Sequence, residues 1–313
     1  MVNVTLFKSS QKKEWDNFVE KCKIPLFFFR RDYLEYHSDR FIDHSLMFYS
    51  NETLIAILPA TKHENEIRSH GGLTFGGLLI PKKTRIETVI EIFHLINNYL
   101  KGLGVDKLVY KPAPSIFHQY PSQEDLYCIS NILDGKLVRR DLSSIIFLKD
   151  RIKLSKGRKA LISKARKQGV VVVNSNDWTR FYTLLNHVLE KHSATSVHTA
   201  EELEYLANLY PDNIKLKVVF IDGEMVAGVL MFIFNDIVHT QYMATNDIGR
   251  INGALDYIVE TCITEAQNLG QNYFSFGIST ENNGKILNGG LAAQKESFGA
   301  RAICLDGYEI DIK

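Results

Sequence analysis

Three polar side chains sit in the apolar stretch DIVHTQYMATN (236–246). His239 and Gln241 are two residues apart, and the period of a strand puts them on one face. Tyr242 follows directly. An imidazole there could take a proton from a nucleophile, or could be a hydrogen-bonded core histidine. The next residues, Asn246 to Ala254 (NDIGRINGA), join this strand to a helix. Free N–H groups at a helix N-terminus attract phosphate, and glycines let it approach. Asn246, Arg250, Asn252, Gly253 and Ala254 are therefore candidate anion ligands, the plainer reading being a capped loop. Further on, FGISTENNGKILNGG (276–290) mixes glycine with polar groups. Gly277 permits a close backbone approach. Ser279, Glu281 and Asn282 are expected to line the mouth of a cleft, with a last helix from Lys285 to Phe298 carrying Lys295.

The first half has its own candidates. SHGGLTFGGLL (69–79) is rich in glycine, which weakens a strand unless a bulge or ligand needs the space. His70 and Thr74 are candidate substrate contacts on that ground, with Lys111 at the end of the next strand. Lys191, His192 and His198 cluster between two helices, but without HExxH spacing or a nearby cysteine. No metal is expected. From Arg151 to Lys167 there are eight Lys or Arg residues and no acids. Such a run suits an anionic partner such as tRNA, a nucleotide-sugar diphosphate or a membrane surface. It also reads as a solvated helix face over Leu154, Leu161 and Ile162.

The elements that would position these groups occur twice. Strands at 45–50, 54–63 and 66–80 lead to a helix at 84–104 and a short strand at 106–114. Strands at 215–222, 225–235 and 236–246 lead to a helix at 254–270 and a strand at 272–279. The helices follow from apolar spacing, and Asp222-Gly223 signals a hairpin. Two helices precede each meander, 11–22 and 31–41 in the first half, 177–192 and 200–210 in the second. The expected fold is α+β, with mixed, mostly antiparallel sheets flanked by helices. Two tandem domains of one kind are expected, residues 1–142 and 143–313, closely packed with a cleft between them.

Composition is that of a folded chain: 45% of the 313 residues are hydrophobic, and 37 Lys or Arg balance 36 Asp or Glu. Net charge therefore does not mark a nucleic-acid binder. Cys22, Cys128, Cys262 and Cys304 are far apart and read as reduced, packed thiols. With no apolar leader at the start and no run of about 20 apolar residues, a cytoplasmic location is expected.

Two helices, a three-strand meander, a crossover helix and a splayed strand resemble the core order of the GNAT acyltransferase superfamily, here in tandem. The chain is most similar to the FemABX-like peptidyltransferases and their relatives in polysaccharide clusters, best over 244–301. The resemblance implies an enzyme that moves an acetyl, acyl or aminoacyl group to an amine of a cell-envelope sugar or peptide precursor. It implies an acyl-CoA held by a Q/R-x-x-G-x-G/A loop, matched by Arg250 to Leu255 with Leu255 in the last small-residue place, or an aminoacyl-tRNA held by the basic run. His239, Tyr242 and Glu281 become the candidates for the chemical step, and His70, Thr74, Lys111, His192, Ser279, Asn282 and Lys295 for substrate. The alternative is a non-catalytic module binding an anionic glycan or nucleotide-sugar through a degenerate pair.

Overall fold

The structure, a computed structural model, describes residues 2–191 and 194–313; the candidate His192 lies outside them. The chain forms two compact units. One comprises Met1–Asp141, Asn282–Ile286 and Cys304–Lys313, the other Leu142–Glu281 and Leu287–Ile303.

In the first unit, β1 (Val2–Leu6), α1 (Lys12–Lys21), α2 (Arg31–Glu35) and β2 (Ile42–Asp43) precede β3 (Leu46–Ser50) and β4 (Thr53–Leu58). Then come β5 (Thr61–His63), β6 (Glu66–Arg68), α3 (Ile86–Gly102), β7 (Lys107–Tyr110) and α4 (Glu124–Asn131). Strands β1, β3 and β4 form one antiparallel sheet. In the other, β2, β5 and β6 run antiparallel, β6 pairs with β7 in parallel, and residues 308–311 close antiparallel onto β7. α3 buries Val89, Ile92, Phe93, Ile96 and Leu100, the stripe its spacing predicts.

Several expected boundaries move for local reasons. The strand expected over 54–63 is broken at Pro59, which cannot donate to a ladder. The strand expected over 66–80 stops at Arg68, because His70 (φ 62°) and Gly77 (φ 94°) take left-handed conformations that end a pleat. Helix α2 ends at Glu35 rather than 41, since Ser38 and Arg40 bond three residues back instead of four. Cys304 is exposed, not packed.

In the second unit, β8 (Lys136–Phe147) supplies residues 143–147, followed by α5 (Lys156–Lys167), β9 (Val172–Ser175), α6 (Trp178–Glu190) and α7 (Ala200–Leu209). Next are β10 (Ile214–Ile221), β11 (Glu224–Ile233), β12 (Ile237–Thr245), α8 (Asp247–Ile251), α9 (Ala254–Asn268), β13 (Tyr273–Ile278) and α10 (Gly289–Glu296). Strands β9 to β12 are antiparallel neighbours in order. β13 adds in parallel to β12, which the crossover through α9 permits. The β10–β11 turn has Asp222 and Gly223 at positive φ, as expected of such a hairpin.

Alternation along β11 places a helix on each face. Val229 and Met231 join the core with Ile258, Val259, Cys262 and Ile263 of α9. Gly228, the residue before Val229, faces Phe181 of α6, whose ring lies 2.7 Å from where a Cβ would sit. The last helix is shorter than the expected 285–298. Asn288 caps it, its Oδ1 accepting from the Leu291 N–H at 3.0 Å. Before that cap, Asn282, Asn283 and Gly284 are all left-handed (φ 48°, 54°, 84°).

No helix among the described residues is long and apolar enough to cross a membrane.

Candidate active site

The parallel ladder between β12 and β13 has three rungs and ends at His239 opposite Ser275. Beyond it the strands separate. β12 also carries a bulge: Met231 faces Thr240, but Leu230 faces Tyr242, leaving Gln241 as the extra residue. The bulge flips the alternation, so Tyr242 joins His239 on the face that α6 covers. Tyr242 is hydrogen-bonded through its hydroxyl to Nδ1 of buried His198, just before α7, at 2.8 Å. Burial pushes the phenol's pKa up.

His239 is bonded through Nδ1 to the Ser275 hydroxyl at 3.0 Å. Desolvation, then the nearby positive charge of Lys295, lowers its pKa to about 4. Lys295 reaches in from α10 and is 2% exposed. Its ammonium donates to the carbonyls of Gly277 (3.0 Å) and Ile278 (2.5 Å) and to Ser279 Oγ (2.9 Å). Burial lowers its pKa to about 8. β13 has lost β12 as a partner at this point, so Lys295 takes up carbonyls that the splay would leave bare. Ser279 is fully buried there, its N–H bonded to Leu142 O at 2.7 Å.

Glu281 is not part of this cluster. Its carboxylate accepts from Asn288 Nδ2 at 2.8 Å and so holds the cap of α10. Asn282 is an exposed turn residue whose carbonyl accepts from the Lys285 N–H. Its left-handed backbone accounts for asparagine there, since asparagine tolerates that conformation.

The loop expected to hold phosphate is filled by protein. Asn246 caps α8 through Gly249 N (2.9 Å) and donates to Glu224 (2.8 Å). Asn252 Nδ2 bonds Ile248 O, and exposed Arg250 lies 3.5 Å from Asp247. At Gly253 (φ 67°) a Cβ would sit 2.6 Å from the carbonyl oxygen of Leu161 on α5. That glycine serves a close helix contact, and Lys164 of α5 donates to Ile251 O at 2.7 Å. Buried Asp256, in the first turn of α9, pairs with Arg158. The positive end of α9 thus already faces a carbonyl and a carboxylate. These residues do not fit the pyrophosphate of acyl-CoA at Gly253. Replacing Gly253 by alanine should cost about 2 kcal/mol, from the left-handed backbone and the displaced helix; urea unfolding checks this.

The basic run is likewise partly spoken for. Arg151 makes two bonds to Glu260 (3.1 and 2.7 Å), Arg158 bonds Ser297 and lies over Phe298, and Arg166 lies 5.4 Å from the Tyr257 ring. Lys153, Lys156, Lys159 and Lys167 remain exposed. Among the described residues no group of three or more His, Cys, Asp or Glu is placed to hold a metal ion.

Residues 151–283 match the family described as acetyltransferase (GNAT) domain. The second unit carries this GNAT-type domain. Among solved structures, FemX aligns with a TM-score of 0.68 at 10% identity, over 99% of this chain and 97% of that one. The C-terminal DUF2156 domain of a putative lysylphosphatidylglycerol synthetase from Agrobacterium fabrum aligns at 0.62 and 10% identity, over 96% and 91%. A tandem GNAT protein from the clavulanic acid biosynthesis pathway aligns at 0.53 and 7% identity, over 100% and 99%. No curated protein sequence matches the chain. The fold is FemABX-like and tandem GNAT.

In the first unit the parallel pair β6–β7 is followed by loop residues that stay bonded across it, the Ser69 N–H to Val109 O and the Gly76 N–H to Lys111 O, each at 2.8 Å. His70 is buried, stacked on His37 with centroids 5.3 Å apart. Thr74 is exposed on that loop. Lys111 donates through Nζ to Leu73 O, and burial, then Arg139 and Arg68, lower its pKa to about 8. Burial, then Arg40, lowers His37 to about 4, and burial, then His37, holds His70 well below its usual range. Folding therefore favours the neutral rings. Their contribution is complete above pH 6.5 and is lost as pH falls towards 4. His37 alone should remove about 3 kcal/mol by pH 4, and His37→Phe should flatten that acid limb in pH-dependent unfolding.

Sequence reading missed Ser275, Lys295's strut role and the pairing of Arg158 with Asp256. Ser275 had one available signal: it pairs with His239 once the two strands are aligned in parallel.

Proposed function

We propose that the GNAT unit transfers an activated acyl group to an amine of a cell-envelope sugar or peptide precursor, at the point where β12 and β13 part. The observation that carries this is the truncated parallel ladder. It leaves main-chain groups of a bulged strand facing a gap, with His239 and Lys295 at its closed end. Acyl transfer needs the carbonyl and the nucleophile held together and polar groups aimed at the oxygen where charge develops. A histidine of pKa about 4 is a weak base at neutral pH. The amine should therefore arrive uncharged, and its proton should leave with the departing group or through water.

The filled loop at Gly253 favours an aminoacyl ester on tRNA over acyl-CoA as donor, and the exposed lysines of α5 suit such a partner in the cytoplasm. Calorimetric titration separates the two. No heat with acetyl-CoA at millimolar concentration is expected, alongside binding of charged tRNA that is lost in Lys159→Glu plus Lys167→Glu. Submicromolar acetyl-CoA binding would reverse the donor assignment.

A further inference from the structure

His239 carries one proton in its neutral form, and its location decides what the ring can do. The Ser275 side chain is buried, 3% exposed. Its hydroxyl has Nδ1 of His239, at 3.0 Å, as its hydrogen-bond partner among the described residues. Thr240 Oγ1 bonds the Ser275 carbonyl instead, at 3.3 Å. A buried hydroxyl proton without an acceptor is costly, so it goes to the acceptor within reach. That acceptor is Nδ1, which must then be unprotonated, leaving the ring proton on Nε2.

Two further observations agree. Burial and the neighbouring ammonium of Lys295 both disfavour a second proton on the ring. Nε2 makes no hydrogen bond with any other described residue. Gly277 also keeps that edge open: a Cβ there would lie 3.5 Å from Cε1, the atom beside Nε2.

We infer that Ser275 is a positioning residue that fixes His239 as an Nε2–H donor to the developing oxyanion of the acyl carbonyl, and that His239 is not the base. This rests on the acyl-transfer reading above. In the step, the amine lone pair forms a bond to the carbonyl carbon and the C=O π pair moves to oxygen, held by Nε2–H. Collapse breaks the ester C–O bond, and the amine's proton goes to the departing ribose oxygen through water. His239 keeps its own proton throughout, as does the neutral catalytic histidine of triosephosphate isomerase.

The test has two readouts. First, nitrogen-15 NMR of histidine-labelled protein, without any donor, should show a pyridine-like Nδ1 and a pyrrole-like Nε2 for His239. Ser275→Ala should give mixed tautomers, and Ser275→Asp, which accepts from Nδ1–H, the reverse one. A pyridine-like Nε2 in the unaltered protein overturns the inference. Second, in aminoacyl transfer, His239→Gln retains an N–H donor and should stay within about tenfold of the unaltered enzyme, while Ser275→Asp should lose about 100-fold in kcat. Loss in His239→Gln equal to that in His239→Ala would make the ring a base and overturn the donor role. An unaltered enzyme with no turnover on any acyl donor sinks the acyl-transfer reading itself and the role with it, while the tautomer is still decided by NMR.

Discussion

Lys295→Met should unfold about 3 kcal/mol more easily than the unaltered protein and lose most acyl transfer. The substitution keeps the length of the side chain but removes the donor to Gly277 O, Ile278 O and Ser279 Oγ. Ser279 is buried and Gly277 and Ile278 are half-buried, and each bare buried acceptor costs about 1–3 kcal/mol. The loss is less than the sum because the segment can relax towards water. For a unit of this size, 3 kcal/mol lowers Tm by roughly 6–12 °C. Activity falls for a separate reason: the end of β13 that Lys295 fixes forms one wall of the gap beside His239. Lys295→Arg should not rescue, because a planar guanidinium is too large for three convergent acceptors. A Lys295→Met protein that melts and reacts like the unaltered one would show that the ammonium is not a strut.

His239→Ala carries the second large effect. Removing one preorganised donor to a developing oxyanion costs about 10²–10³ in kcat. Substrate affinity should change little, since the donor matters most once charge develops. The fold should tolerate the change: among the described residues the ring's one hydrogen bond is to Ser275, and a small hole at the edge of the gap can fill with water. Steady-state kinetics with circular dichroism separates the cases. A fall in kcat at constant KM and unchanged Tm is expected. A rise in KM alone would make His239 a ground-state contact.

The sequence showed the repeated order of strands and helices because its signals are local. Apolar spacing in α3 and α9, and Asp222-Gly223 between strands, act through neighbouring residues. Pairing across the sheet is different. Gln241 is an ordinary strand residue until β11 is laid beside it and the bulge puts Tyr242 on the face of His239. Lys295 was read as a substrate contact, yet its partners are main-chain carbonyls about 17 residues away, which carry no side-chain signature. The glycines misled for a related reason. Gly253 looked like room for a phosphate and is room for Leu161 of α5. A glycine declares that something comes close but not what. The asparagines at 282 and 283 likewise announce a left-handed turn before they announce a ligand.

The most direct test of the central claim is single-turnover transfer of a labelled aminoacyl group to an amine acceptor, followed by mass spectrometry, with the unaltered chain, His239→Ala and Lys295→Met in parallel. Transfer by the unaltered chain that drops at least about 100-fold in both variants, with His239→Ala still folded, places the reaction at the parting of β12 and β13. Equal transfer by all three would put the chemistry elsewhere in the molecule and contradict the account.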